Sequence, residues 1–114
     1  MIEVNEKAPD FTLKNTSKED VSLADFSGAV VLAFYPGAFT GVCDTEMCTF
    51  QEDLKSFNDL DATVLGISVD SPWANGSFAS KYNLEFDLLS DFDRSVIKSY
   101  DVVFEGLGGI EGYT

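Results

Sequence analysis

With 114 residues and 45% hydrophobic side chains, the chain holds enough for one globular domain, and no apolar run approaches the ~20 residues of a membrane-spanning helix. Twenty acidic residues against seven basic ones leave a net charge of -13, which repels phosphate backbones and anionic lipid and so argues against nucleic-acid and membrane partners. Histidine is absent, which excludes Ser-His and Cys-His catalysis and imidazole-built zinc sites within the chain.

In chain order, Ala8-Pro-Asp-Phe-Thr-Leu13 reads as an extended lead-in and a short strand, and a polar turn (Asn15 to Asp20) leads into Val21-Ser-Leu. Ser27-Gly28 breaks the chain before Ala29 to Tyr35, a continuous apolar run that suits a strand buried on both faces. From about Asp44 to Leu60, apolar residues at Phe50, Leu54, Phe57 and Leu60 repeat at 4, 3 and 3, predicting one helix with one apolar face. Ala62 to Val69 is the next buried strand. Asp70 or Ser71 caps a helix with Pro72 in its first turn, which runs through Phe78 to Tyr82 and ends at Asn83. Phe86 to Leu89 is a short strand, and Ser90 or Asp91 caps a helix over Phe92–Tyr100. Gly106 to Gly112 then reads as a loop. Alternating strands and helices predict a three-layer α/β domain with a parallel core.

The acids are spread along the chain among aromatic and β-branched residues, as on a folded domain with a solvated acidic skin. High salt tolerates such a surface, since the Debye length falls to ~3 Å at 1 M, so a halophilic host is expected, with an acidic mesophile as the alternative. The N-terminus lacks the basic start and apolar core of a signal peptide, so a cytoplasmic location is expected. Two cysteines in a cytosolic chain read as catalytic or inert rather than as a structural staple.

Phe34 to Cys48 carries the chemistry. Cys43 falls after a strand, at the first turn of the predicted helix, where unpaired N–H groups and the positive end of the helix dipole favour a thiolate. Cys48 lies five positions on. Five helical residues rise ~7.5 Å and turn ~500°, so the two side chains diverge, whereas a disulfide needs Cα atoms within ~7 Å. A Cys43–Cys48 bond therefore requires the first turn to unwind, and the polar run Asp44-Thr-Glu46 makes that turn cheap to melt. Otherwise Cys48 is a small buried hydrophobe. Trp73 reads as core or groove lining, and Phe39 as a wall of an apolar entrance. Asp70, Asp91 and Asp93 lie on two segments and read as solvated caps rather than metal ligands.

Pro36-x3-Thr40-x2-Cys43, preceded by Phe-Tyr and followed by Glu46, resembles the peroxiredoxin active-site pattern. Ala-Pro-Asp-Phe11, Val-Leu-Gly-Ile-Ser-Val-Asp70, and Leu-Leu-Ser-Asp91 before a helix ending in Tyr-Asp-Val102 are similar to that family too, so the match runs along essentially the whole chain. The Cys-x4-Cys spacing resembles the peroxiredoxin Q (bacterioferritin comigratory) branch. The resemblance implies a thioredoxin-like α/β/α fold with a central mixed sheet. It also implies thiol-dependent reduction of hydrogen peroxide and organic hydroperoxides, and recycling by a thioredoxin-like dithiol donor. Cys43 would be peroxidatic and Cys48 resolving. Thr40 would hydrogen-bond peroxide and thiolate, Pro36 would shield the sulfur, and Glu46 would support a catalytic arginine. No cofactor or metal is implied, and the assembly would be a monomer or homodimer.

In this family that arginine sits on a strand after the glycine-rich loop. Here the lone arginine, Arg94, lies in the last predicted helix and reads as a surface residue. The expected C-terminal strands and helix fall beyond Thr114, so the chain is expected to be a truncated or short form that lacks full activity by itself. Two other functions stay open: a thioredoxin-type disulfide oxidoreductase, whose Cys-x-x-Cys is absent, and a redox-sensing domain without turnover.

Overall fold

The structure is a computed structural model that describes residues 2–39, 42–104 and 112–114, with the side chains of residues 42–44 left aside. Among the described residues, five strands and four α-helices follow in order: β1 (Thr12–Lys14), β2 (Asp20–Ser22), β3 (Ala29–Phe34), α1 (Val42–Glu52), α2 (Leu54–Asp59), β4 (Ala62–Ser68), α3 (Pro72–Tyr82), β5 (Asp87–Ser90) and α4 (Ser95–Ser99). The strands form one mixed sheet in the order β2-β1-β5-β4-β3. The three apolar strands lie side by side in parallel, with Ala29 opposite Ala62 and Leu65 opposite Asp87, while β1 runs antiparallel to both β2 and β5.

Side chains alternating across β4 divide the core in two, as the two-residue period of a strand requires. Leu65 and Ile67 join Phe11, Leu13, Leu89, Val96 and Tyr100 on the α4 face. Val64 joins Met47, Phe78, Phe86 and Leu88 beneath α1, α2 and α3 on the other. Three layers result, as the element pattern predicts. At Gly66 a Cβ would lie 2.6 Å from Leu88 Cδ2 and 3.2 Å from Tyr35 Cε1, so a side chain there would have to displace the buried Leu88.

Several expectations hold in detail. Asn83 closes α3 in the left-handed region (φ 53°), and its N–H and that of Leu84 return to Ala79. Ser71 is the N-cap, accepting the Ala74 N–H at 3.2 Å.

Other expectations are corrected. The helix over residues 44–60 is two helices meeting at Asp53, and Leu60 lies beyond them, exposed. The helix over residues 92–100 is shorter, because Arg94 takes up a left-handed backbone (φ 66°) and α4 starts only at Ser95. Trp73 is 69% exposed, with Lys18 Nζ 5.7 Å from its ring centroid, and so belongs to neither core nor groove. Asp91 is not solvated but fully buried. Arg94 is no idle surface residue: its Nε donates to the Gly112 carbonyl at 2.9 Å and an Nη to that of Phe92 at 3.2 Å. Gly112 itself carries φ 88°. Residues 105–111, where most of the glycine-rich loop falls, lie outside the described residues.

Candidate active site

The end of β3 and the start of α1 bound the site. Tyr35 extends the pairing with β4 by one bond, its N–H donating to the Ile67 carbonyl at 3.0 Å, and its ring is fully buried. Pro36 is half-buried and Gly37 buried. The Ala38 N–H donates to the Asp70 carboxylate at 2.7 Å. Phe39 then takes a positive φ of 63°, a conformation uncommon for a residue with a side chain. Its ring, 48% exposed, meets Phe78 edge-on at 5.4 Å, with Lys81 Nζ 5.4 Å from its centroid.

Thr40 lies outside the described residues, as does the side chain of Cys43. The backbone of Cys43 is nonetheless informative. Since α1 begins at Val42, Cys43 is its second residue, among the four positions whose N–H groups have no acceptor inside the helix. A negative charge at this end is favoured by the helix dipole. Glu46 is exposed, one position past the first turn. Cys48 is a free, half-buried thiol on the same unbroken helix, in a shallow pocket with Thr45, Thr49, Glu52 and Tyr82. The two cysteines thus share one helix. Among the described residues no three His, Cys, Asp or Glu side chains gather as metal ligands would.

Beneath the loop lies a polar cluster that sequence reading missed. Asn75 is fully buried, and its Oδ1 accepts from Tyr35 Oη at 2.5 Å and Ser68 Oγ at 3.2 Å. Its Nδ2 donates to Ser90 Oγ at 3.2 Å. Ser68 Oγ in turn accepts the Asp70 N–H at 3.2 Å. A signal was present: Asn75 stands at i−3, i−4 and i−7 from Phe78, Ala79 and Tyr82, so a polar residue interrupts the buried stripe of α3.

A parallel three-strand core with an antiparallel edge, and a cysteine position in the first turn of the helix after β3, are the arrangement of a thioredoxin-like fold. The AhpC/TSA family model matches residues 4–113, and the chain belongs to that family. It is 43% identical over 102 residues to peroxiredoxin Bcp of Bacillus subtilis, covering 89% of this chain and 65% of that protein. To the chloroplastic peroxiredoxin Q of Gentiana triflora it is 37% identical, covering 91% of this chain but 48% of that one. The crystal structure of peroxidoxin BcpB from Mycobacterium tuberculosis superposes with a TM-score of 0.86 at 30% identity, over 95% of this chain and 71% of that one. Peroxiredoxin Q of Xanthomonas campestris gives 0.80 at 31%, over 83% and 61%. The chain therefore spans about half to two thirds of the length of most of these proteins.

Proposed function

We propose that the protein is a thiol-dependent peroxidase that reduces hydrogen peroxide and organic hydroperoxides, with Cys43 as the reacting residue. The observation that carries this reading is the position of Cys43 at the second residue of α1, in the first turn after β3, in a chain of the peroxiredoxin family. The Cys43 thiolate attacks one peroxide oxygen and the O–O bond breaks. The departing alkoxide or hydroxide takes a proton, and the sulfur becomes a sulfenic acid. Donors aimed at the departing oxygen lower the barrier, and the free N–H groups at the start of α1, with Thr40, are suited to that task. Pro36 shields the sulfur from water and Glu46 supports the site from the helix. Phe39, exposed and edge-on to Phe78, suits one wall of an entrance for organic peroxides.

Cys48 attacks the sulfenic sulfur, water leaves, and a disulfide forms after the first turn of α1 unwinds. A thioredoxin-like dithiol then reduces that disulfide and is itself oxidised. The protein works in the cytoplasm, as monomer or homodimer. Peroxide consumption with a thioredoxin-type donor tests the reading. Cys43→Ser should lower turnover at least about 10³-fold, the scale for losing an essential nucleophile. Cys48→Ser should react with one equivalent of peroxide and then stall as the sulfenic acid, which excess peroxide carries on to the sulfinic acid. Steady turnover by Cys43→Ser would sink the proposal, and reduction of protein disulfides without peroxide would favour an oxidoreductase instead.

A further inference from the structure

Two polar anchors, Asn75 fully buried and Asp70 half-buried, bracket the Pro36–Gly37 dipeptide. On one side the Tyr35 hydroxyl donates to Asn75 at 2.5 Å, and on the other the Ala38 N–H donates to Asp70 at 2.7 Å. The anchors are themselves joined, because Ser68 Oγ accepts from the Asp70 N–H and donates to Asn75. Ser90 of β5 closes the far end. Three elements thus converge on a four-residue stretch of loop: the end of β4, the first turn of α3 and the end of β5.

We infer that Asp70 is a positioning residue for the peroxide reaction, acting through the peptide plane between Gly37 and Ala38. The inference rests on the reading of Cys43 as the peroxidatic thiol. The reach of this contact is what points to the role. Ser71 holds the N-cap of α3, and Asp70, one residue before that cap, turns its carboxylate to a loop 32 positions earlier. Fixing the 37–38 plane fixes the direction from which the chain enters Phe39, held at φ 63°, three positions before α1 begins at Val42. It also occupies the Ala38 N–H, so that this donor is turned to Asp70 and does not compete for the thiolate. Peroxide cleavage needs sulfur, both oxygens and the receiving donors in line, and a displacement of ~1 Å can cost on the order of 10²-fold. Alkylation of a thiolate by a small haloacetamide makes no such demand. The two reactions therefore separate positioning from mere exposure of sulfur.

The experiment measures two rates at Cys43 in the Cys48→Ser background: single-turnover oxidation by hydrogen peroxide and alkylation by iodoacetamide. Asp70→Ala should slow oxidation about 10- to 100-fold while changing alkylation less than about threefold. Asp70→Asn, which keeps an oxygen for the Ala38 N–H, should restore oxidation to within about fivefold of the parent. Amide hydrogen exchange at Ala38 should be slow in the parent and in Asp70→Asn, and fast in Asp70→Ala. Oxidation of Asp70→Ala at the parent rate, or equal losses in both reactions, would overturn the inference. Should Asp70→Ala not fold, Ser68→Ala removes the support of Asp70 instead, and oxidation at the parent rate there overturns it equally. A parent Cys43 that meets peroxide no faster than free cysteine would instead bring down the peroxidase reading itself.

Discussion

The ends of β4 and β5 are neighbours in the sheet and each leads into a helix through an aspartate, yet the two aspartates do different work. Asp91, after β5, is fully buried and stays local: its Oδ1 accepts the Val96 N–H at 3.0 Å and its Oδ2 that of Ile97 at 2.8 Å. Asp70, after β4, is half-buried and reaches across the molecule to Ala38, leaving the cap of α3 to Ser71. One carboxylate holds its own helix in place; the other holds the loop that leads to Cys43.

Breaking the local side of this comparison should have the largest effect. Asp91→Ala leaves two buried N–H groups at the start of α4 without an acceptor, each costing ~1–3 kcal/mol, so a loss of about 3–4 kcal/mol is expected in urea unfolding. The destabilisation should come with no selective change in the ratio of peroxide to iodoacetamide reactivity at Cys43. A loss under about 1 kcal/mol would show that the start of α4 is solvated and that burial of Asp91 carries no structural burden.

A smaller change sharpens the other side. Ser71→Ala removes the acceptor for the Ala74 N–H and should cost about 1 kcal/mol, the usual worth of an N-cap, with Cys43 oxidation unchanged. If Ser71→Ala slowed oxidation as strongly as Asp70→Ala, capping and pinning would not be separable and the division of labour at β4 would fail.

The sequence made the layers, the parallel strands and the place of Cys43 legible, because these follow from local patterns: apolar runs of strand length and a cap ahead of a helix. The partners of a polar side chain follow no such local rule. Asp70, Asp91 and Asp93 have much the same sequence surroundings, polar residues at a strand-to-helix junction, and reading all three as solvated caps treats them alike. Their fates diverge because burial is set by the tertiary surroundings: Asp91 is fully buried and accepts the Val96 and Ile97 N–H groups, Asp70 is half-buried and meets the loop at Ala38, and Asp93 is exposed. Asn75 shows the converse. Its interruption of an apolar stripe was visible, but its partners Tyr35 and Ser90 lie 40 and 15 positions away and are brought together only by the parallel register of β3, β4 and β5.

Asp93 supplies the weakest test and the one in which pH is the probe. Its carboxylate accepts the Ser95 N–H at 3.0 Å, and this bond, with a further one from the Ser95 hydroxyl, holds its pKa below the ordinary value of 3.8, Lys98 adding a smaller pull. A pKa lowered by folding means that the stabilisation is complete above the unfolded value and fades as pH falls through the lower folded one. Because the group is almost fully exposed, solvent screens the interaction, and its worth at neutral pH should be a few tenths of a kcal/mol at most. Urea titrations between pH 5 and about pH 2.5 should therefore show Asp93→Asn losing slightly less stability on acidification than the parent, with the two curves parallel above pH 5. Identical acid limbs would mean that the Ser95 bond does not persist in solution, and that the turn into α4 is held by Asp91 without help.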